Sequence, residues 1–198
     1  MRLLADNIHI MNPNVAAALE EMDPEPIREL ALRIKASGAD VIDINPGPLR
    51  KDCQRKMELV INAVQEVADL RLCLDTPNPE ALEVGMAACA RKPIVNGFSL
   101  EPHKLERILP LAAEAGTETV GFLLREDGSV PATLDERLSL AATLVNTATE
   151  AGLETENLVI DPVLVPITWG DGSSHARDVL SCISYLPELL GFSVKTVV

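Results

Sequence analysis

Short apolar runs recur along the chain, and most of them stop at a polar side chain. The runs are rich in Val, Leu and Ile, as expected of buried parallel strands that open into loops at their carboxyl ends. We interpret them as strands at residues 3–8, 41–45, 72–76, 94–97, 120–124, 158–162 and 193–198.

Between these runs the apolar residues change to helical spacing. Asp23-Pro24 has the residue types of a helix start, and the stripe that follows it ends at Gly38. The stripes are Ile27, Leu30, Ala31 and Ile34; Met57, Val60, Ile61, Val64 and Val67; Leu82, Gly85, Met86 and Cys89; Leu105, Ile108, Leu109 and Ala112; and Leu134, Leu138, Ala141, Val145 and Ala148, with a further helix over residues 176–190. This alternation predicts parallel strands joined by right-handed crossovers.

Two arrangements satisfy that alternation, an open doubly wound sheet and a closed barrel. The first strand leads into residues 9–14, which contain no glycine, so the GxGxxG turn of a dinucleotide fold is missing. A GxxxxGK[ST] phosphate loop is missing too. We therefore predict an α/β fold of the TIM (β/α)8 barrel type with about seven strands, incomplete at its carboxyl terminus because a full barrel needs about 250 residues. Residues 1–198 are expected to form one domain.

Composition narrows the range of functions. The chain has 198 residues, of which 47% are hydrophobic and only 3% aromatic, so its core must be built from aliphatic side chains. The net charge of −13 and the lack of a basic run argue against binding to nucleic acid. We find neither an apolar run that could span a bilayer nor an export signal, and we expect a cytoplasmic protein without a membrane partner.

Cysteine and histidine do not indicate a metal or a nucleophile. Cys53, Cys73, Cys89 and Cys182 form no CxxC pair, and His9, His103 and His175 lack the spacing of metal ligands. We expect Cys73 and Cys89 to be small core residues and His103 and His175 to be structural. No metal site is predicted.

Acid and amide side chains at the strand ends are the candidate binding residues: Asp75, Asn96 and Asp161, with Asp43 and Asn45 beside them. In a barrel the carboxyl ends of the strands gather at one rim. A carboxylate accepts two parallel hydrogen bonds from an amidine-like edge, and an amide both donates and accepts. This set fits the 2-amino-4-oxo-pyrimidine ring of a pterin, but it also fits a sugar or a divalent metal.

Four strand-end segments together resemble the methyltetrahydrofolate:corrinoid protein methyltransferases: DINPGP at 43–48, LCLDT at 72–76, IVN at 94–96 and LVIDP at 158–162. The resemblance runs from residue 1 to the last strand and includes Asp23-Pro24 and the DERL segment at 135–138. Dihydropteroate synthase belongs to the same pterin-binding superfamily, but its STRPG-like loop after the second strand is not seen. The resemblance thus implies methyl transfer rather than pteroate synthesis.

The resemblance implies a site and two substrates. Asp75, Asn96 and Asp161 match the pterin-binding positions of the family, and Asp43 and Asn45 match its DxN segment. The methyl donor would be methyltetrahydrofolate, and the acceptor would be the cobalt of a corrinoid (cobalamin) carried by a partner protein, with the enzyme a homodimer. The family's catalytic asparagine follows the seventh strand, where this sequence offers no match, so the catalytic residue stays unassigned.

Several alternatives remain. Asp75, Asn96 and Asp161 can instead be helix N-caps, and Asp43 and Asn45 can form Asx turns. The loop at 166–174 is either a flap over a ligand or a plain surface loop, and His9 is either a rim residue or loop packing. Residues 5–9 also replace the Glu-Arg pair of the family's GERIN-like segment by Asp6-Asn7.

The function itself has competing interpretations. The sequence is expected to be a fragment of an active enzyme, a short homologue completed by a second polypeptide, or a non-catalytic pterin-binding or scaffold protein. A dihydropteroate synthase-like enzyme is the remaining alternative.

Overall fold

Parallel strands alternate with helices throughout the computed structural model, which describes residues 1–49 and 51–198. In these described residues the strands are β1 Leu4–His9, β2 Val41–Asn45, β3 Arg71–Leu74, β4 Ile94–Phe98, β5 Thr119–Phe122, β6 Leu158–Asp161 and β7 Lys195–Thr196. The helices are α1 Pro13–Glu21, α2 Glu25–Ala36, α3 Cys53–Val67, α4 Pro79–Ala88, α5 Pro102–Arg107, α6 Leu109–Ala115, α7 Leu134–Glu150 and α8 Gly172–Leu190, with a 3-10 turn at Thr155–Asn157. The predicted α/β class is confirmed.

The chain divides into two compact units, Met1–Asn96 and Gly97–Val198. In the first unit β1, β2, β3 and β4 pair in chain order and in parallel. The register sets Asp43 beside Cys73, and Cys73 beside Ile94. Since parallel neighbours end at the same edge, the loops after β2 and β3 emerge side by side.

The core of the first unit is aliphatic, as the composition requires. Helix α3 packs against both α2 and α4, α2 contacts β1, and α4 contacts β3, while the central side chains of the strands are buried. Gly85 of α4 faces Leu74, and a side chain there would begin 3.0 Å from the Leu74 Cδ1 atom. The glycine therefore allows α4 to lie close against β3.

In the second unit β5, β6 and β7 also pair in chain order and in parallel. Phe122 at the end of β5 lies beside Asp161 at the end of β6. The two long helices of this unit, α7 and α8, pack against each other. Helix α7 also contacts β6.

The structure corrects several predicted boundaries. Helix α1 was not predicted, although Asn12 caps it through the Asn14 amide at 3.1 Å and Pro13 opens it. The stripe at 105–112 is two helices rather than one, because Pro110 has no amide hydrogen to continue the ladder of α5.

Helix α8 begins at Gly172, so the loop predicted at 166–174 is shorter, and β7 covers only Lys195–Thr196.

Candidate functional site

Four of the five predicted binding residues lie close together in the first unit. Asp43 and Asn45 are on β2, Asp75 directly follows β3, and Asn96 is in β4. Side chains two residues apart on a strand point to the same face. The parallel register therefore brings the side chains of adjacent strands together near the carboxyl ends of β2, β3 and β4.

Direct hydrogen bonds join these side chains. Asn45 donates from Nδ2 to Asp75 Oδ2 at 2.6 Å, and Asn96 donates from Nδ2 to Asp43 Oδ1 at 3.2 Å. The thiol of Cys73, which is fully buried, hydrogen-bonds the Asp43 carboxyl group. We call Asp43, Asn45, Cys73, Asp75 and Asn96 the strand-end cluster.

Asp43 is the electrostatically unusual member of the strand-end cluster. Its side chain is only 2% exposed, and burial followed by the nearby Asp75 charge raises its pKa from 3.8 to about 7. Asp6 contributes in the same direction, while the hydrogen bonds from Cys73 and Asn96 oppose the shift. Asp43 thus exchanges a proton near neutral pH, where an ordinary aspartate is ionised.

An Asx turn shapes the loop after β2. The Gly47 amide donates to Asn45 Oδ1 at 3.2 Å, and Gly47 has a φ of +78°, a conformation that favours glycine. The Asx-turn interpretation of Asn45 is therefore confirmed. The same side chain also donates to Asp75, so it belongs to both the turn and the cluster.

The helix that follows β3 is capped by Asn78 and not by Asp75. Asn78 Oδ1 accepts from the amides of Glu80 and Ala81 at 3.1 and 3.4 Å. Its Nδ2 donates to the carbonyl oxygens of Pro48 and Leu49 at 3.3 and 3.2 Å, which ties α4 to the loop after β2. The capping alternative for Asp75 is wrong, and its carboxylate serves the cluster instead.

Asn96 and Asp161 are not helix caps either. The cap positions of α5 and α8 are Glu101 and Asp171. Asp161, in the second unit, ends β6 and accepts from the Val163 amide at 2.7 Å through Oδ1. Burial raises the pKa of its carboxyl group above the ordinary value, while the Val163 hydrogen bond opposes that shift.

Sequence reasoning missed Cys73 and Arg137. Cys73 lies in β3 two residues before Asp75, which directly follows that strand, so the alternation of side chains was a signal that Cys73 shares the face of the cluster. Arg137 is completely buried on the face of α7 that carries Ala141, Leu144 and Ala148. Its spacing on that face was the available signal, since a charged residue there needs a dedicated set of partners.

The remaining candidates have mostly structural roles. His175 is buried and bonded to Arg137 and Asp171, as expected of a structural histidine. Cys73 is buried, whereas Cys89 is only half-buried at the end of α4. His9 is half-buried at the end of β1, and a register shift between Ala5 and Ile8 marks the segment that departs from the GERIN-like pattern.

No group of three or more His, Cys, Asp or Glu side chains in residues 1–49 and 51–198 is placed to hold a metal ion. The helices described there include none with the length and apolar character needed to cross a membrane.

The strand-end cluster has the hydrogen-bonding groups to recognise a flat polar heterocycle. It presents carboxylate acceptors and amide groups from neighbouring strands, and these recognise paired N–H donors and ring acceptors. Near neutral pH a fraction of the molecules carries a proton on Asp43, and this proton gives the cluster one further hydrogen-bond donor. The five residues of the cluster do not include a Ser-His-Asp or Cys-His arrangement.

Comparison with known protein families matches residues 14–198 to the family described as "Pterin binding enzyme". Among curated proteins, the chain is similar to the methylcorrinoid:tetrahydrofolate methyltransferase of Eubacterium limosum, with 27% identity over 169 residues. That alignment covers 85% of this chain and 62% of the relative, so the chain spans less than two thirds of the relative's length.

Among the solved structures to which the chain is similar are dihydropteroate synthases. The enzyme of Xanthomonas albilineans, solved with 4-aminobenzoic acid, has a TM-score of 0.68 at 21% identity, covering 98% of this chain and 69% of the other. The enzyme of Stenotrophomonas maltophilia, solved with bound imidazole, has a TM-score of 0.67 at 19% identity, covering 98% and 70%. The chain therefore has a TIM-barrel-like α/β fold, with seven strands in its described residues.

Proposed function

The chain belongs to the family of pterin-binding enzymes, and on this premise we propose that it is a methyltransferase that moves a methyl group between N5 of a tetrahydrofolate and the cobalt of a corrinoid. The curated relative, named for a methylcorrinoid and tetrahydrofolate, supports this choice within the family. We propose methyltetrahydrofolate as the donor and the corrinoid as the acceptor, which is the direction that the family resemblance implies; the relative is named for the reverse direction, from methylcorrinoid to tetrahydrofolate.

The observation that carries the proposal is the hydrogen-bonded strand-end cluster. Asn45 orients the Asp75 carboxylate by a bond of 2.6 Å, and Asn96 is joined to Asp43. Side chains held in this way meet a ligand with little loss of rotamer freedom. We assign Asp75 and Asn96 to the pyrimidine edge of the pterin, with Asp43 and Asn45 as adjacent binding residues.

Asp161 is proposed as a further pterin-binding residue. It matches the family position at the end of β6, and its half-buried carboxyl group is fixed by the Val163 amide. This assignment comes from the family resemblance together with the local geometry of the second unit.

Methyl transfer requires that the pterin ring be oriented and that N5, the leaving nitrogen, be stabilised. A tertiary amine leaves poorly, and the reaction is favoured when N5 gains positive character as its bond to carbon breaks. The chain's own contribution would be to fix the pterin ring and to keep a proton available near neutral pH. Asp43 is suited to the second task because its pKa is raised to about 7.

The partners follow from the same resemblance. We propose that a separate protein carries the corrinoid, that two copies of the enzyme form a homodimer, and that the reaction takes place in the cytoplasm. The corrinoid is a substrate in this scheme, and no resident metal is assigned to the strand-end cluster.

A methyl-transfer assay tests the proposal. The purified chain is mixed with methyltetrahydrofolate and a reduced corrinoid, free or protein-bound, and the corrinoid absorbance reports whether its cobalt becomes methylated. The proposal predicts methylation that depends on the chain and falls at least about tenfold in Asp75→Asn. Pterin binding without any methylation would favour a non-catalytic binder, and condensation of 4-aminobenzoate with an activated pterin would favour a dihydropteroate synthase-like enzyme.

A further inference from the structure

Arg137 is an unusual charge in the second unit because its side chain is completely buried. Its Nε donates to the Pro162 carbonyl oxygen at 3.2 Å, and its Nη2 donates to His175 Nδ1 at 2.8 Å. The closest carboxylate oxygen, of Asp178, is 4.0 Å from Nη1, and Nη1 has no hydrogen-bond partner. The guanidinium is therefore only partly compensated, and burial lowers its pKa.

A buried charge without full compensation has an unfavourable desolvation free energy, so holding two helices together does not by itself explain Arg137. Apolar residues of similar volume often replace buried ion pairs without loss of stability. What an apolar residue cannot reproduce is the directed bond to the Pro162 carbonyl group. That bond indicates which segment Arg137 organises.

The segment bonded to Arg137 is a strained turn that begins at Asp161. Val163 has a φ of +61°, which is rare for a β-branched residue, and its amide donates to Asp161 Oδ1 at 2.7 Å. Pro162 lies between them and presents its carbonyl oxygen to Arg137. The conformation of this turn thus sets the direction of the Asp161 carboxylate.

His175 completes the arrangement from α8. Its Nδ1 accepts from Arg137, so that nitrogen carries no proton, and its Nε2–H donates to Asp171 Oδ2 at 3.2 Å. The imidazole ring thereby binds a second nitrogen of the same guanidinium whose Nε donates to Pro162. The guanidinium joins α7, α8 and the turn after β6 through bonds of defined direction.

We propose that Arg137 is a positioning residue, which holds the turn of residues 161–163 so that the Asp161 carboxylate points in the direction used to bind the pterin. The inference rests on the proposed function, because it takes Asp161 as a pterin-binding residue. Arg137 itself contacts no substrate and acts through the Pro162 carbonyl group.

A double-mutant cycle separates positioning from simple stabilisation. Dissociation constants for methyltetrahydrofolate are measured by calorimetry for the full chain and for Arg137→Met, Asp161→Asn and the double variant. We expect Arg137→Met to remain folded and to weaken binding at least about tenfold. In the double variant binding should be no weaker than in Asp161→Asn, because the two residues act through one carboxylate. Additive losses, or unchanged binding by Arg137→Met, would overturn the positioning role.

The amide of Val163 gives a readout that does not depend on the ligand. In Arg137→Met its hydrogen exchange should accelerate at least about tenfold, while the α7 amides near Leu144 keep their protection. Equal protection of Val163 in both proteins would overturn the proposal. If Arg137→Met does not fold, Arg137→Lys serves instead, since lysine has a methylene where the Arg137 Nε donates to the Pro162 carbonyl group, and the same two readouts apply.

The experiments distinguish failure of the inference from failure of the proposed function. If Asp161→Asn binds methyltetrahydrofolate as the original protein does, Asp161 is not a pterin-binding residue, and both the site assignment and this inference are wrong. If Asp161→Asn binds weakly and Arg137→Met binds normally, the site stands and only the positioning role is wrong.

Discussion

Asp43 shows how one buried residue can give the strand-end cluster a pH dependence. The folded protein raises its pKa to about 7, from a reference value of 3.8, through burial and the charge of Asp75. Between about pH 4 and pH 7 the folded protein therefore keeps a proton on Asp43 that the unfolded chain has already released. By linkage, stability falls as the pH rises through this window, and the full penalty is present above the folded pKa.

Replacing Asp43 by Asn should remove that penalty. The amide introduced by Asp43→Asn still offers an oxygen to accept from Asn96 and carries no charge, so we expect the variant to gain stability relative to the original protein as the pH rises from about 4 to about 8. One pKa unit corresponds to about 1.4 kcal/mol, and we expect a change of at least that size. Urea unfolding at several pH values measures it, with Asp69→Asn, an exposed carboxylate in the same unit, as the control. A pH-independent difference between Asp43→Asn and the original protein would contradict the assigned pKa.

At the residue scale, the sequence predicted which residue types form the candidate site, but it did not predict the contacts among their side chains. The acid and amide residues at the strand ends were predicted from the way apolar runs stop. The thiol of Cys73 and the raised pKa of Asp43 were not predicted, because both depend on which side chains the parallel register places side by side. Arg137 was missed for the same reason, since its partners lie 25 and 38 residues away in the chain.

At the element scale, the loops matter as much as the strands. Asn78 caps α4 and at the same time binds the carbonyl oxygens of Pro48 and Leu49, so it couples a helix start to the loop after β2. Thr76 bonds to the same region by donating to the Gly47 carbonyl at 3.4 Å. The geometry of the strand-end cluster therefore depends on two neighbouring loops that support each other.

Two substitutions of Asn78 separate these roles. Asn78→Ala removes both the cap and the loop contacts and should cost about 1–2 kcal/mol of stability. Asn78→Ser keeps a capping oxygen but has no amide to reach the loop, so it should recover most of the stability and little of the pterin affinity. Urea unfolding and calorimetric titration measure the two effects. Full recovery of affinity by Asn78→Ser would show that the loop contacts do not shape the site.

The errors in the predicted helices have a common physical cause. Helix α1 begins at an Asn-Pro pair of the same kind as Asp23-Pro24, but it has only nine residues and a short buried stripe of Val15, Ala18 and Leu19. Helices α5 and α6 share one apolar stripe, yet the missing amide of Pro110 divides them. Periodicity identifies which face is buried, whereas local backbone chemistry determines where a helix stops.

At the scale of the whole molecule, β4 belongs to both compact units. It contributes Ile94, Val95 and Asn96 to the first unit and Gly97 and Phe98 to the second. The boundary between the two units therefore falls inside one strand. We propose that the chain unfolds as one domain, as the sequence also indicated.

Two buried free cysteines provide a reporter in each unit. Cys73 lies in the first unit and Cys182 in the second, and both are fully buried. A one-domain chain should expose both thiols at the same urea concentration, so pulsed thiol labelling read by mass spectrometry should give coincident midpoints. The partly accessible Cys53 and Cys89 serve as internal controls for labelling. Separate midpoints for Cys73 and Cys182 would contradict cooperative unfolding.

The most direct test of the central claim is calorimetric titration of the chain with methyltetrahydrofolate, compared between the original protein, Asp75→Asn and the control Asp69→Asn. If the strand-end cluster binds the pterin through a charge-assisted pair, Asp75→Asn should lose about 2 kcal/mol of binding free energy, and Asp69→Asn should bind as the original protein does. Equal binding by all three proteins would remove Asp75 from the site, and a lack of binding by the folded original protein would contradict the proposed function itself.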